Sequence, residues 1–440
     1  NQIGGPLLAN YAISIAEYLD REIWWWFSFR DWVHLPFAGS FHANGHRAGT
    51  TISMHHPKKI AGHKCGRIVA SVCLLVIALG LSGCAGGHTT GAFLAAETEI
   101  PGASEHTILV ASTRELDATS GTYYGTGRGD GLTFAYASIS VPPGHKPGKI
   151  EWPSSFPGDP SRHFVANDSN YISGKKQFQN RINEELARRA PDQRNVFVFI
   201  HGYNTTYAEA VFRNAQLAHD TSYSGLPILF TWGSSGETLK YLYDVNSTIV
   251  ARDALVETLE AISQTNVNEI VIMSHSLGSF LLLEAIRQKF LEQNPLAQSK
   301  VRQVIIAAPD IDVDVFKSQM KQIGKPDRPF IVLVSKDDRA LIFSQRIAGG
   351  VSRVGAYEND EELAELGAIV VDVTKLESND AARHGRFTDA GSFVPLVAQM
   401  LSEQGIELAN TDLAQQGSSL RPSAEATQDP GVVTTVPPAR

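Results

Sequence analysis

Cysteine is nearly missing from this chain: three occur in 440 residues, and all of them, Cys65, Cys73 and Cys84, lie in one early segment. A disulfide framework across the body of the protein is therefore excluded, whatever the redox state of its compartment. Runs of Lys and Arg are missing too. With 38 Lys plus Arg against 46 Asp plus Glu, a formal charge of −8, there is no basic stripe to neutralise phosphates, so nucleic acid is not an expected partner. Repeated long apolar runs are also lacking, which excludes a polytopic membrane protein. What remains, 43% hydrophobic and 19% charged residues, is the composition of a globular protein with a sizeable core.

The first methionine is Met54. From there the chain runs through His55, His56, Lys58, Lys59, Lys64 and Arg67 into an uncharged apolar stretch, Ile68 to Leu81, and on to Leu81-Ser82-Gly83-Cys84. The apolar stretch is too short to cross about 30 Å of hydrocarbon as a helix. A basic flank, a short apolar run and small residues before a cleavage point are instead the order of a secretory leader. The segment resembles the lipobox of bacterial lipoproteins, which implies diacylation of Cys84 and cleavage just before it; the plain alternative is a signal anchor that happens to end in Gly-Cys. On this reading residues 54–83 are a signal peptide, residues 1–53 are an upstream or non-native extension, and Cys84 is a lipid anchor to the membrane of a bacterial envelope. Ala85 in place of an aspartate after the cysteine implies the outer membrane, facing the periplasm. The cluster Trp24, Trp25, Trp26, Phe27 and Phe29 would otherwise suit a membrane interface, and no function is rested on it. A chain starting at Cys84 has 31 basic and 42 acidic residues, a net charge of −11.

Residues 84–104 are small and polar and read as a tether, and residues 409–440, dominated by Gln, Ser, Pro and Thr, as a disordered tail. Between them, residues 105–408 alternate short β-branched runs with longer amphipathic ones. The expected strands are Ile108 to Ser112, Leu132 to Val141, Val196 to Ile200, Ile228 to Thr231, Ile270 to Met273, Val304 to Ala307, Phe330 to Val334 and Ile369 to Val373. Expected helices are Gln177 to Arg189, Tyr207 to His219, Val250 to Ser263, Leu277 to Gln293, Val313 to Ile323 and Phe393 to Glu403. Strands that are apolar throughout are covered on both faces, and strand-helix alternation argues for an α/β fold with a mostly parallel sheet, its ligand at the carboxyl ends of the strands. The stretch from Pro142 to Pro160 reads as a long loop, either over the site or an ordinary surface excursion.

The chemistry concentrates at Ile270-Val-Ile-Met-Ser-His-Ser-Leu-Gly278. A strand that turns sharply into a helix at a serine is the context of a nucleophile elbow, with Ser276 as nucleophile and Ser274 where a glycine is usual; the bland alternative is a serine that merely caps the helix. A serine hydroxyl needs a base to take its proton and a third group to orient that base. Downstream of Ser276 there is a single histidine, His384, in a loop after the last expected strand. For the acid, Asp338 after the strand Phe330 to Val334 is favoured, with Asp310, Asp312 and Asp337 as alternatives. The oxyanion needs backbone donors: the N–H of Leu277, next to the nucleophile, and that of Tyr203, in the turn after Val196 to Ile200. His201 reads as a buried structural residue, His275 as pointing elsewhere on the turn, and the pair His219-Asp220 lacks further ligands at metal-site spacing, so no zinc is assigned.

His201-Gly-Tyr-Asn204, Phe230-Thr-Trp-Gly-Ser234, Ser274-His-Ser-Leu-Gly278, Ala307-Ala-Pro-Asp-Ile-Asp312, Ser335-Lys-Asp-Asp-Arg-Ala-Leu341 and His384-Gly-Arg-Phe387 together resemble the bacterial α/β-hydrolase family of unknown function labelled esterase/lipase-like. The resemblance runs from Thr107 to Met400. It implies the α/β-hydrolase fold, with an eight-stranded sheet and helices on both faces, and a triad of Ser276, Asp338 and His384. The expected activity is hydrolysis of a small-molecule or lipid ester through an acyl-enzyme, with no cofactor. A non-catalytic envelope binding module and an acyltransferase using the same triad are the rival readings.

Overall fold

The computed structural model describes residues 89–96, 100–292, 300–376, 378, 380–388 and 433–435. The leader, Cys84, the expected helix Phe393 to Glu403 and most of the tail lie outside them. In chain order the main elements are β1 (Ser104–Asp117), β2 (Tyr123–Val141), β3 (Val165–Ile172), α1 (Gly174–Ala187), β4 (Val196–Ile200), α2 (Tyr207–Asp220), β5 (Leu226–Thr231), α3 (Tyr241–Ser263), β6 (Ile270–His275), α4 (Leu277–Leu291), β7 (Val301–Ala307), α5 (Val313–Ile323), β8 (Phe330–Val334), α6 (Arg339–Ile347), α7 (Asp360–Glu365), β9 (Ala368–Asp372) and β10 (Val433–Thr435). No helix among the described residues is long and apolar enough to cross a membrane.

The strands form one sheet in the order β10-β9-β8-β7-β6-β4-β5-β1-β2-β3. Only β2 runs against its neighbours; every other adjacent pair is parallel. Alternate side chains along each strand enter two separate cores, because successive side chains of a strand point to opposite faces. Val196, Val198 and Ile200 of β4 pack with α1, α3, α4 and α5 through Phe178, Leu255, Leu281 and Phe316. Phe199 of the same strand packs on the other face with α2, through Val211 and Phe212. Residues buried on both faces explain why these strands are apolar throughout.

Ten strands replace the eight read from the sequence. The eight expected are all present; β3 escaped notice because its Asn-Asp-Ser-Asn centre has turn composition, which an edge strand tolerates with exposed side chains. The three residues of β10 are the described part of the tail that was expected to be disordered. β2 also begins nine residues before the expected Leu132, through Gly125, Gly127, Gly129 and Gly131, residues depleted in strands. The loop after β2 packs on α2. Trp152 stacks on Phe212 of α2, centroids 4.9 Å apart, and His145 meets the last residue of α2, so the loop runs along the outer side of that helix.

Candidate active site

Ser276 stands between β6 and α4, where the chain reverses with φ 53° and ψ −125°, a backbone conformation that costs a non-glycine residue strain. Two glycines make the reversal possible. A Cβ on Gly278 would lie 2.3 Å from the His201 carbonyl oxygen, and one on Gly202 would lie 2.7 Å from the Ser276 Cβ. The elbow therefore touches the β4–α2 loop backbone to backbone. At the position where a glycine is usual, the Ser274 hydroxyl bonds that of Ser279 at 3.1 Å, so the extra atoms are used and not merely tolerated. Ser276 is the residue that precedes α4, yet its hydroxyl makes no capping bond, which removes the helix-cap reading. Leu277 opens α4, so its N–H has no partner within the helix and lies at the positive end of the helix dipole.

The other expected oxyanion donor, Tyr203, follows Gly202 in a loop held from below by a buried polar network that the sequence did not disclose. Arg114 of β1, fully buried, donates to Thr231 Oγ1 at 2.7 Å, to the Ser234 carbonyl at 3.0 Å and to the Thr205 carbonyl at 2.6 Å. Buried Asp244 of α3 accepts from the Asn204 N–H at 3.1 Å, the Ser234 hydroxyl at 2.7 Å and the Ser235 N–H at 2.8 Å. Burial and the Arg114 charge push His201 well below the usual imidazole range, so it is neutral. Its Nε2 accepts from the Trp232 N–H at 3.2 Å and its ring stacks on Trp232 at 5.1 Å. His201 is thus part of the scaffold. The motifs His201 to Asn204 and Phe230 to Ser234 owe their composition to this network, which fixes the backbone facing Ser276.

His384 bonds Asp338 through Nδ1 to Oδ2 at 2.7 Å, and Asp338 is fully buried with its other oxygen accepting the Leu341 N–H at 3.0 Å. The remaining carboxylates named from the sequence have other partners. Asp310 accepts from Ser344 Oγ at 2.7 Å and Tyr241 Oη at 3.0 Å and lies 3.3 Å from Arg353 Nε. Asp312 caps α5 through the N–H of Asp314 and of Val315. Asp337 is claimed by Arg386 and by Arg383; their hydrogen bonds and charges hold its carboxyl down at about 2, against a smaller cost of burial. Since Arg383 and Arg386 flank His384, and Asp337 precedes Asp338, two ion pairs clamp the histidine loop beside the acid. Asp380 adds a third tie by accepting the backbone N–H of His384 at 3.0 Å.

The histidine loop also rests on the elbow. The His275 ring lies 4.6 Å from that of His384 and 4.4 Å from that of Phe387, so His275 points into the histidine loop, a contact the sequence reading missed. Burial first, then the neighbouring His384, keeps His275 neutral. Burial also disfavours the charged form of His384, but the Asp338 charge and hydrogen bond outweigh it and raise His384 above the usual range. Among the described residues neither His384 Nε2 nor Ser276 Oγ makes a hydrogen bond, so the structure joins Asp338 to His384 and leaves those two atoms uncommitted.

The family described as "Alpha/beta hydrolase of unknown function (DUF900)" matches residues 174–404. Among solved structures the chain is similar to an inhibited esterase B from Lactobacillus rhamnosis, at 10% identity over 81% of this chain and 98% of that one, with a TM-score of 0.31. It is also similar to a fungal esterase from Rhizomucor miehei, at 12% identity over 73% of this chain and 82% of that one, with a TM-score of 0.23. No curated protein matches the chain.

Proposed function

We propose that this chain, which belongs to the α/β-hydrolase family of unknown function DUF900, is a serine hydrolase that cleaves carboxylic esters through an acyl-enzyme. The observation that carries the reading is the 2.7 Å bond from Asp338 to His384, whose ring lies 4.6 Å from that of His275, the residue before a strained serine whose hydroxyl makes no hydrogen bond among the described residues. With Nδ1–H held by the carboxylate, His384 presents a basic Nε2. It takes the Ser276 proton as Oγ attacks the ester carbonyl, and the N–H groups of Leu277 and Tyr203 receive the oxyanion. The imidazolium returns its proton to the leaving alkoxide; water then repeats the sequence on the acyl-enzyme, releasing the acid and restoring Ser276.

An apolar acyl group suits the surroundings. Tyr241 at the start of α3 and Ser344 of α6 meet on Asp310, at the carboxyl end of β7. Leu242 of α3 and Leu239 in the turn just before it, 70% and 91% exposed, and half-exposed Phe343 and Ile347 of α6 face solvent. Apolar side chains left in water at a strand-end site are the surface an acyl chain would cover. A lipid anchor at Cys84, supported by Leu81 to Cys84, would hold the enzyme at an envelope membrane where such esters occur.

The test is active-site labelling with a fluorophosphonate, paired with turnover of p-nitrophenyl esters of graded chain length. The wild type is expected to label and to hydrolyse, and Ser276→Ala to lose the label and about 10⁴-fold or more of kcat/KM. An unlabelled, inactive wild type would sink the proposal and leave a non-catalytic module.

A further inference from the structure

The pair His219-Asp220 supplies too few ligands in sequence, but the fold brings more to it. His106 of β1 places Nε2 3.1 Å from His219 Nδ1. His145, from the loop after β2, places Nε2 2.8 Å from Asp220 Oδ1. One ligand atom from each of His145, His219 and Asp220 can be chosen so that all lie within 4.8 Å of one another. Around a tetrahedral ion with ligands at about 2.0–2.1 Å, donor atoms stand about 3.3 Å apart, so these three must close by up to about 1.5 Å around an ion, with His106 joining as the fourth through its contact with His219.

The outer partners are already in place. His145 Nδ1 is bonded to Glu151 Oε2 at 2.8 Å, the carboxylate contact that fixes a ligating imidazole with its other nitrogen turned inward. Asp220 Oδ2 accepts from the Gly148 N–H at 2.8 Å and from Gln216 Nε2, which leaves Oδ1 facing the histidines. The His145 and Asp220 side chains are buried, while His106 and His219 are half-exposed and give an entry path. Three imidazoles and one carboxylate are a borderline N/O donor set of the kind that suits zinc, in a closed four-ligand arrangement.

We propose that His106, His145, His219 and Asp220 bind one zinc-class divalent cation that clamps β1, the loop after β2 and the end of α2 together. The site is remote from Ser276. His106 precedes the part of β1 that pairs with β5, whereas Phe230 and Thr231, at the far end of β5, lie level with Ile200 and Ser274, the ends of β4 and β6 that lead to Tyr203 and Ser276; α2 likewise starts at Tyr207 beside the oxyanion loop and ends at Asp220. The ion is therefore a structural one, and binding is expected to raise thermal stability through the linkage of binding to folding.

Chelator-stripped protein is titrated with Zn²⁺ by calorimetry and with Co²⁺ by visible absorption. Wild type is expected to bind one ion per chain, to give the intense d–d bands of four-coordinate Co²⁺, and to melt higher with Zn²⁺ than without. His106→Gln, at the half-exposed edge, and His145→Gln are each expected to bind at least about tenfold more weakly, with circular dichroism reporting that the fold is kept. Wild type that takes up no stoichiometric ion, or binding that survives both substitutions unchanged, would overturn the site.

Discussion

Two histidine–carboxylate pairs stand at opposite ends of one sheet, and their free valences separate them. At the strand ends that carry Ser276, His384 gives one nitrogen to Asp338 and keeps the other open. At the far end, His145 has both nitrogens engaged, by Glu151 and by Asp220, each at 2.8 Å. A base must hold one nitrogen ready to take and return a proton, whereas an imidazole fixed from both sides serves as a strut or a ligand. The chemistry of a His–Asp pair is thus decided by what meets the second nitrogen. Their supports differ as well: the first pair hangs on a loop tied down by ion pairs, the second on a helix end and the loop after β2.

The sharpest way to break this comparison is Asp338→Asn. Loss of the carboxylate leaves His384 in the wrong tautomer and is expected to lower kcat/KM about 10⁴-fold, read from ester hydrolysis; a loss under tenfold would mean that the pair orients nothing. Asp337→Asn tests the clamp alone. It frees Arg383 and Arg386 without touching the bond to Asp338, so kcat is expected to fall about 10- to 100-fold with KM little changed, since misplacing a base by about 1 Å costs that much. An unchanged kcat would show that Asp380 and His275 suffice to place the loop. The mildest effect is a shift in pH profile. His384 works only when neutral, and Asp338 raises its pKa against the opposing effect of burial, so activity is lost as pH falls through a value above the ordinary imidazole figure of about 6.5. An acid limb at or below that figure in kcat/KM would argue against His384 as the base.

Much of the fold was legible because the signals were local. Val196 to Ile200 and Phe330 to Val334 are short apolar runs between amphipathic stretches, and α5 follows from its amphipathic period, whereas its cap by Asp312, named from the sequence only as a candidate acid, came from the structure. The early part of β2 and the strand β3 were not legible, since alternating glycines and an Asn-Asp-Ser-Asn centre mimic loops until a neighbouring strand supplies the hydrogen bonds. α3 likewise starts at Tyr241 and not at Val250, because its opening turns are fixed by Asp244 reaching back to Ser234 and Ser235.

The sequence by itself determined the parallel order of strands and helices, the sharp turn at Ser276 and the single downstream histidine, since each depends on residues close in the chain. Only the tertiary structure shows which of Asp310, Asp312, Asp337 and Asp338 meets His384, for all four carboxylates follow strands of the sheet and differ only in what reaches them: Ser344 and Tyr241, backbone amides, two arginines, or His384. It alone brought His106 and His145 to the end of α2 and Arg114 beneath the loop that carries Tyr203. Spacing along a chain limits which groups can meet, but hydrogen bonds act over about 3 Å, and at that range the folded path of the backbone selects the partner.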